Sequence, residues 1–184
     1  ISKTIFEMNK AGCAAVHIED QVFDKRCGHR PNKKIVSIDE MKERLKTAVS
    51  SKIDDSFFIM ARTDALASEG ITGAIKRCEA YIEEGIDGIF LEAVTSIEEY
   101  EVFKKNLSIP VLANITEFGK TPLFNQNQLK EVGVDMILYP LTAFRAMSAS
   151  AEKIYNSIIK DGTQEPLLDI CLLYTSDAAD DDAC

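Results

Sequence analysis

Five short apolar segments, each ending in polar or charged residues, recur along this chain and constrain its fold more than any other feature. Their branched, aromatic and aliphatic residues are typical of buried β-strands. Between them lie segments in which apolar residues follow helical spacing. Strands that alternate with helices predict parallel β-α-β units. The predicted strands cover residues 14–20, 57–64, 88–93, 110–117 and 135–140.

Local signals predict where several helices begin. Ser37 and Ser96 each precede a glutamate by three residues, Glu40 and Glu99, and an apolar helical pattern follows. This spacing is that of a capping box, in which the serine and the glutamate satisfy free backbone N–H groups at the helix start. The longest predicted helix covers residues 142–160 and carries apolar side chains along one face.

The fold class follows from what accompanies the strands. The chain has neither a G-x-G-x-x-G nor a G-x-x-x-x-G-K loop, which weakens a dinucleotide-binding or P-loop interpretation. An open doubly wound sheet and part of a (β/α)8 barrel remain. Reactive side chains at every strand end favour the barrel, whose enzymes build their sites at that edge. We therefore expect an α/β fold, a partial (β/α)8 TIM-type barrel with about five of eight strands, because a complete barrel needs about 250 residues.

Composition excludes several protein classes. With 46% hydrophobic and 28% charged residues, the chain can fill a core and is not intrinsically disordered. A net charge of −9 argues against a general nucleic-acid binder. The apolar segments are far shorter than the roughly 20 residues of a membrane-spanning helix, and no secretory signal opens the chain. Five cysteines without C-x-x-C spacing predict reduced thiols in a cytoplasmic protein.

The end of the chain differs from the rest. Residues 171–184 read CLLYTSDAADDDAC, with four aspartates and no basic residue. This segment resembles the translation of a sequencing-library adapter, and the alternative is a disordered acidic tail. We expect a first part, residues 1–170, that carries the fold, and a non-native or disordered tail, residues 171–184. Without the four aspartates the net charge of −9 becomes −5.

A basic loop, residues 24–34, carries the most distinctive chemistry. Cys27 lies there among cationic side chains, which stabilise a thiolate and attract an anionic substrate. Gly28 lets the backbone approach a ligand closely. The alternative for any lone cysteine is a small buried apolar residue, which we expect for Cys13 and Cys78. The cations considered around Cys27 are Lys25, Arg26, His29 and Arg30.

Polar side chains at the strand ends predict a mixed-charge cup. Residues two apart on a strand share one face. Arg62 can hold a carboxylate bidentately, and Arg145, after the last strand, can bind a second one. The alternatives are a structural buried ion pair for a carboxylate beside Arg62 and a solvated helix arginine for Arg145. The pairs that share a face are His17 and Glu19, Arg62 and Asp64, Phe90 and Glu92, and Asn114 and Thr116.

Several motifs together resemble one enzyme family. The chain is similar to the methylisocitrate lyase family of the isocitrate lyase/phosphoenolpyruvate mutase superfamily over residues 1–169. The segment KRCGH is typical of the lyases, and NITEFG favours methylisocitrate lyases over isocitrate lyases. The motifs that carry the resemblance are HIEDQVFDKRCGH (17–29), MARTDALA (60–67), LEAV (91–94), NITEFGKTPLF (114–124) and YPLTAFRAM (139–147).

The resemblance implies an Mg²⁺-dependent carbon–carbon lyase that cleaves 2-methylisocitrate to pyruvate and succinate in propionate catabolism. It implies that Cys27 protonates the succinate-forming carbanion and that Glu19 and His29 set the protonation state of the site. Arg62 joins these as a catalytic residue, and Glu19 also holds Mg²⁺ through water. The substrate-binding positions that the resemblance implies are Cys27, Gly28, Arg62, Glu92, Asn114, Ile115, Thr116 and Arg145.

The resemblance also implies that part of the enzyme lies outside this chain. The direct metal ligands of the family precede residue 1, so residues 1–170 are the C-terminal portion of a lyase barrel. The intact enzyme is a homotetramer that exchanges a C-terminal helix between subunits. We expect the chain as written to be inactive and poorly soluble, because an open barrel exposes unpaired strand edges.

Other functions stay open at this point. A sister enzyme is one alternative: isocitrate lyase, an oxaloacetate decarboxylase or a carboxyphosphonoenolpyruvate mutase. An anion-binding protein on a barrel scaffold is another. Cys27 favours a lyase, because protonating a carbanion needs an acid. The expected partner is a small tricarboxylate, with no nucleic acid and no membrane.

Overall fold

In the computed structural model, which describes residues 1–171, five parallel strands form one sheet in the order β1-β2-β3-β4-β5. Neighbours in the sheet are consecutive in the chain, as in successive β/α units of a barrel. Each predicted apolar segment contains one strand, so the strands and their parallel pairing are confirmed. The strands are β1 (Ala15–Glu19), β2 (Phe58–Thr63), β3 (Gly88–Leu91), β4 (Val111–Asn114) and β5 (Met136–Leu138).

Five helices accompany the sheet in a first compact unit, Ile1–Pro140. Alternate strand residues such as Ile59 and Ile89 are fully buried in one cluster with helix residues such as Leu45 and Tyr81. The sheet therefore has one face under the helices and one face turned away from them. The helices are α1 (Ser2–Lys10), α2 (Ile38–Val49), α3 (Leu66–Ile82), α4 (Ile97–Asn106) and α5 (Gln126–Glu131).

The helix starts only partly follow the predicted capping boxes. Ser96 and Glu99 form the complete reciprocal box at the start of α4. Ser37 accepts the Glu40 N–H at 3.1 Å, as predicted for α2. The Glu40 carboxylate instead accepts a hydrogen bond from Arg44 at 2.7 Å, so the second half of that box is not made.

The expectations for two cysteines have different outcomes. Cys78 on α3 is fully buried in the core, as predicted, and burial raises its pKa. Cys13 is exposed, so the expectation that it is a buried apolar residue is wrong. The reason is its position in the turn between α1 and β1, directly after Gly12, rather than on an apolar face.

A buried polar network lies on the helix side of the sheet. Asp20, directly after β1, is fully buried, and its Oδ1 accepts the Asp64 N–H at 2.9 Å. Its Oδ2 accepts the Thr63 hydroxyl at 2.7 Å and the Tyr81 hydroxyl at 3.0 Å. Arg77 donates to the Tyr81 oxygen at 3.1 Å. Arg77 also donates to the exposed Glu69 through two nitrogens. We call this network the helix-side cluster; its members are Asp20, Thr63, Glu69, Arg77 and Tyr81.

A second compact unit begins at Leu141. Its long helix α6 (Thr142–Asp161) confirms the predicted helix, and a short 3₁₀ helix (Glu165–Ile170) follows. Gly162 ends α6 in the left-handed conformation, with φ of 67°. The predicted tail, residues 171–184, lies outside the described residues except for Cys171. None of the helices formed by residues 1–171 has the length and apolarity needed to cross a membrane.

Candidate active site

The strand ends bring the predicted polar side chains together on the face turned away from the helices. In the strand register Glu19 pairs with Arg62, and Arg62 pairs with Phe90. The prediction that these side chains share one face of the sheet is therefore confirmed. Glu92 and Asn114 extend the same face at the ends of β3 and β4. We call this group the edge cluster; its members are Glu19, His29, Arg62, Asp64, Glu92 and Asn114.

Arg62 occupies the centre of the edge cluster. Its Nε lies 3.0 Å from Asp64 Oδ2 and 3.5 Å from Glu19 Oε2, and its Nη2 lies 3.1 Å from Glu92 Oε2. The guanidinium carbon lies 5.0 Å from the centre of the Phe90 ring. Burial disfavours the charge, but the hydrogen bonds to Asp64 and the charge of Glu92 raise the pKa of Arg62 above its usual range. The guanidinium therefore stays charged.

The contacts of Arg62 change one expectation about substrate binding. The sequence suggests that this arginine grips a substrate carboxylate bidentately. In the structure Arg62 instead holds the Asp64 carboxylate bidentately, because Nε and Nη2 both donate to it, at 3.0 and 3.4 Å. Nη1 takes part in none of these ion pairs.

The Lys33–Asp64 ion pair is a feature that sequence reasoning missed. Lys33 Nζ lies 2.9 Å from Asp64 Oδ1, and the two side chains are 6% and 0% exposed. Burial alone would raise the pKa of Asp64, but hydrogen bonds from Arg62 and Lys33 lower it below its usual range. The shared face of Arg62 and Asp64 could have indicated the carboxylate. No local pattern indicates that Lys33 folds back onto it.

Glu92 and Asp64 are the two most buried acids of the edge cluster. The Glu92 side chain is 1% exposed, and its Oε1 lies 3.0 Å from His29 Nε2. Asn114 Nδ2 donates to its Oε2 at 3.5 Å. Burial raises the pKa of Glu92, and the charge of Arg62 opposes that rise. A Cβ at Gly28 would overlap Glu92 and Arg62, so the basic loop lies directly on these two side chains.

The surroundings of Cys27 differ from the predicted ring of four cations. Cys27 is exposed, and it lines a shallow cavity of about 370 Å³ with Arg26 and Arg30. Lys25 is engaged in an ion pair with Glu19, and His29 turns toward Glu92. Two of the four predicted cations therefore flank the thiol, because the other two have acidic partners in the edge cluster.

Buried polar atoms without partners mark this edge of the sheet. Among the residues that the structure describes, five buried side-chain atoms have no hydrogen-bond partner, and three of them belong to the edge cluster: Glu19 Oε2, His29 Nε2 and Asn114 Oδ1. His29 Nε2 is close to Glu92, but the pair does not meet hydrogen-bond geometry. A buried polar atom without a hydrogen-bond partner costs about 1–3 kcal/mol, and the ion-pair neighbours of Glu19 Oε2 and His29 Nε2 offset part of that cost. Three such atoms converging at one strand edge indicate a place for a ligand.

The other predicted site residues have different positions. Ile115 and Thr116 follow β4 and are both buried. The Ile115 N–H donates to Leu138 O at 2.9 Å, which fixes this segment to β5. Arg145 lies in the first turn of α6 and is therefore part of the second unit. The structure thus brings together Glu19, His29, Arg62, Glu92 and Asn114 of the predicted set.

The residues of this chain fit an outer position at a magnesium site but do not supply direct ligands. Residues 1–171 contain no group of three or more histidine, cysteine or acidic residues placed to hold a metal. Glu19 Oε2 is a buried carboxylate oxygen without a hydrogen-bond partner among these residues. A metal-bound water can donate to such an oxygen. Glu19 is therefore compatible with water-mediated contact to Mg²⁺.

Comparison with known sequences identifies similar proteins. The sequence profile of the phosphoenolpyruvate phosphomutase family matches residues 1–159. Over 175 residues the chain is 56% identical to the 2-methylisocitrate lyase of Vibrio cholerae, which covers 92% of this chain and 57% of that protein. The chain thus spans little more than half the length of this relative.

Solved structures with the same fold are also enzymes. A 2,3-dimethylmalate lyase of the PEP mutase/isocitrate lyase superfamily superposes with a TM-score of 0.83 and 32% identity, over 99% of this chain and 64% of that one. An oxaloacetate acetylhydrolase bound to 3,3-difluorooxalacetate has a TM-score of 0.84 and 30% identity, over 99% of this chain and 65% of that one. The expected α/β fold, a partial (β/α)8 barrel, is confirmed.

Proposed function

The chain belongs to the phosphoenolpyruvate phosphomutase family, and from this premise we propose that the full-length protein is a carbon–carbon lyase that cleaves 2-methylisocitrate to pyruvate and succinate. The observation that carries the proposal is the edge cluster. Its three orphaned atoms lie around a charged arginine, beside a basic loop with an exposed thiol. Such a site suits a polycarboxylate that is cleaved and then protonated.

The reaction needs one proton removed and one supplied. Loss of the substrate hydroxyl proton lets the oxygen form the pyruvate carbonyl as the adjacent carbon–carbon bond breaks. The electron pair of that bond stays on the succinate carbon as a carbanion stabilised by its carboxylate. The Cys27 thiol donates its proton to this carbon, and Arg62 holds a substrate carboxylate through Nη1. Glu19 receives the hydroxyl proton, and His29 helps to set the protonation state of the site.

Magnesium is part of the proposal. When bound, Mg²⁺ polarises the oxygen that becomes the pyruvate carbonyl. Glu19 would contact it through water, in keeping with its orphaned Oε2. The direct ligands would come from a segment that precedes residue 1 in the full-length protein. Removing the metal should abolish turnover, while this chain's own contacts to the carboxylates remain.

The wider setting completes the proposal. Residues 1–170 would form the C-terminal portion of the lyase barrel, and residues 171–184 would not contribute to the site. The full-length protein would be a cytoplasmic homotetramer of propionate catabolism. Arg145 would bind a second substrate carboxylate once the barrel is complete, and Ile115 and Thr116 would line the substrate beside Asn114.

A substrate panel on the full-length protein with Mg²⁺ tests the substrate assignment. We expect pyruvate and succinate from 2-methylisocitrate and much slower cleavage of isocitrate. Equal turnover of both would point instead to a broader isocitrate lyase. Oxaloacetate decarboxylation or phosphonate chemistry, with no cleavage of 2-methylisocitrate or isocitrate, would indicate a sister enzyme of the family.

A thiol variant separates the enzyme from an anion-binding protein. In Cys27→Ser we expect kcat to fall by about 10²–10⁴-fold, the usual contribution of a positioned acid. Substrate affinity should stay largely unchanged, because Cys27 donates a proton rather than holding a carboxylate. The control is Cys13→Ser, which alters an exposed thiol in the turn before β1. Unchanged turnover in Cys27→Ser would contradict the assigned role.

A further inference from the structure

The His29 ring is held from two sides by groups of different chemistry. The Lys120 N–H donates to Nδ1 at 3.0 Å. Nε2 lies 3.0 Å from Glu92 Oε1, and the His29 side chain is 12% exposed. A neutral imidazole carries one proton, and the nitrogen that accepts a hydrogen bond does not carry it. The proton of a neutral His29 therefore sits on Nε2, the nitrogen that lies 3.0 Å from Glu92 Oε1.

Gly119 makes room for this arrangement. A Cβ at that position would lie 2.9 Å from His29 Cε1 and 3.0 Å from Nδ1, and also 3.0 Å from Thr116 Cγ2. These distances are shorter than ordinary carbon contacts. Because Gly119 has no side chain, the backbone of Gly119 and Lys120 can lie against the edge of the ring.

The charges around His29 favour the neutral ring. Burial lowers the pKa of His29, and the charges of Lys33 and Arg62 lower it further. In a neutral ring the tautomer decides whether the ring N–H lies on the side of the Lys120 backbone or on the side of Glu92. The charged groups around the ring come from the basic loop, from the ends of β2 and β3, and from the segment after β4: Lys33, Arg62, Asp64, Glu92 and Lys120.

We propose that the Gly119–Lys120 peptide is a positioning element that fixes His29 in its Nε2–H tautomer and thereby docks the Cys27 loop on the edge cluster. In the other tautomer, an N–H on Nδ1 would face the Lys120 N–H, and two donors would oppose each other at about 3 Å. The loop would then lose its contact with the segment after β4. The effect on turnover, unlike the tautomer itself, rests on the proposed function.

Nitrogen NMR of the full-length protein tests the tautomer. The protein is labelled with ¹⁵N-histidine, and His29→Gln identifies the signals of His29 by their loss. We expect Nδ1 to show the shift of an unprotonated ring nitrogen and Nε2 that of a protonated one. In Lys120→Pro, which removes the donor N–H, Nδ1 should move toward the protonated shift and His29 should titrate at higher pH. Lys120→Ala keeps the N–H and should retain the original Nδ1 shift.

Gly119→Ala provides a second variant that keeps every backbone donor. Its Cβ should displace the ring, and we expect the same change in the Nδ1 shift with an unaltered far-ultraviolet circular dichroism spectrum. We expect kcat to fall by about 10²-fold in this variant, as for other small misplacements of active-site groups.

A protonated Nδ1 in the unmodified protein would overturn the proposal, as would unchanged ¹⁵N shifts in both variants. An altered tautomer with unchanged kcat and pH–rate profile would overturn the positioning role. Absence of lyase activity beside the expected tautomer would count against the proposed function alone.

Discussion

Glu19 and Asp20 are neighbours at the end of β1, yet they belong to two different buried clusters. Asp20 faces the helices, where its two oxygens accept three hydrogen bonds. Glu19 faces the other side, where its Oε2 has no hydrogen-bond partner among the described residues. A cluster whose acceptors are satisfied stabilises the fold by itself. A cluster with open acceptors is completed by something that binds to it.

The helix-side cluster also holds the edge cluster in place. Asp20 holds the Asp64 N–H, and Asp64 in turn holds Arg62 at the centre of the edge cluster. On the other side, Arg77 donates to Glu69 through two nitrogens, at 2.7 and 2.8 Å. The helix-side cluster therefore fixes the end of β2 from behind. We expect its variants to change mainly stability and those of the edge cluster mainly turnover.

The largest expected effect is on stability. Asp20→Asn leaves the Thr63 hydroxyl, the Tyr81 hydroxyl and the Asp64 N–H, with the charge of Arg77 3.9 Å away, around a neutral amide. We expect the free energy of unfolding to fall by about 3–5 kcal/mol, as for other broken buried ionic networks. Urea denaturation measures it. The matched control is Asp55→Asn at an exposed site, which should change stability by less than about 0.5 kcal/mol. Equal effects of the two variants would break the distinction between the clusters.

The corresponding change in the edge cluster should affect turnover. Glu92→Gln keeps the size of the side chain but removes the charge that pairs with Arg62 and faces His29. We expect kcat to fall by about 10²–10³-fold. The unfolding free energy should stay within about 1 kcal/mol of the parent, because Asp64 and Glu19 still pair with Arg62. The control is Glu101→Gln on the exposed side of α4. A large loss of stability without a loss of turnover would assign Glu92 to the structural group.

A smaller effect is expected where a single hydrogen-bonding group is removed. Tyr81→Phe deletes the hydroxyl that donates to Asp20 and accepts from Arg77. We expect a loss of about 1–2 kcal/mol, because the buried groups lose one partner each. The exposed Tyr155→Phe is the control. Thermal unfolding of both variants compares them, and equal midpoints would show that the Tyr81 hydroxyl contributes nothing.

The smallest effect is a change in the pH dependence of stability. Because the pKa of His29 is lowered, the unfolded chain binds a proton near pH 6.5 more readily than the folded one. Stability should therefore fall as the pH drops from 6.5 toward the folded pKa. His29→Gln should reduce this slope, and urea midpoints between pH 5 and 7 measure it. An identical slope in the variant would contradict the lowered pKa.

The sequence predicts the sheet and the faces of its strands well, because alternation of side chains is a local property. Glu19, Arg62 and Glu92 could be placed together from parity and strand order alone. Contacts made by loops could not be predicted in this way. The contacts of Lys33 with Asp64 and of the Lys120 N–H with His29 depend on the conformations of two loops. Loop conformations do not follow from a periodic sequence pattern.

The most direct test of the central claim compares Glu19→Gln with Asp20→Asn in the full-length protein, with kcat and unfolding free energy measured for both. We predict that Glu19→Gln loses about 10²-fold in kcat while its stability stays within about 1 kcal/mol of the parent. Asp20→Asn should instead lose about 3–5 kcal/mol of stability. If Glu19→Gln is destabilised as much as Asp20→Asn and retains full turnover, the edge cluster is structural and the account is contradicted.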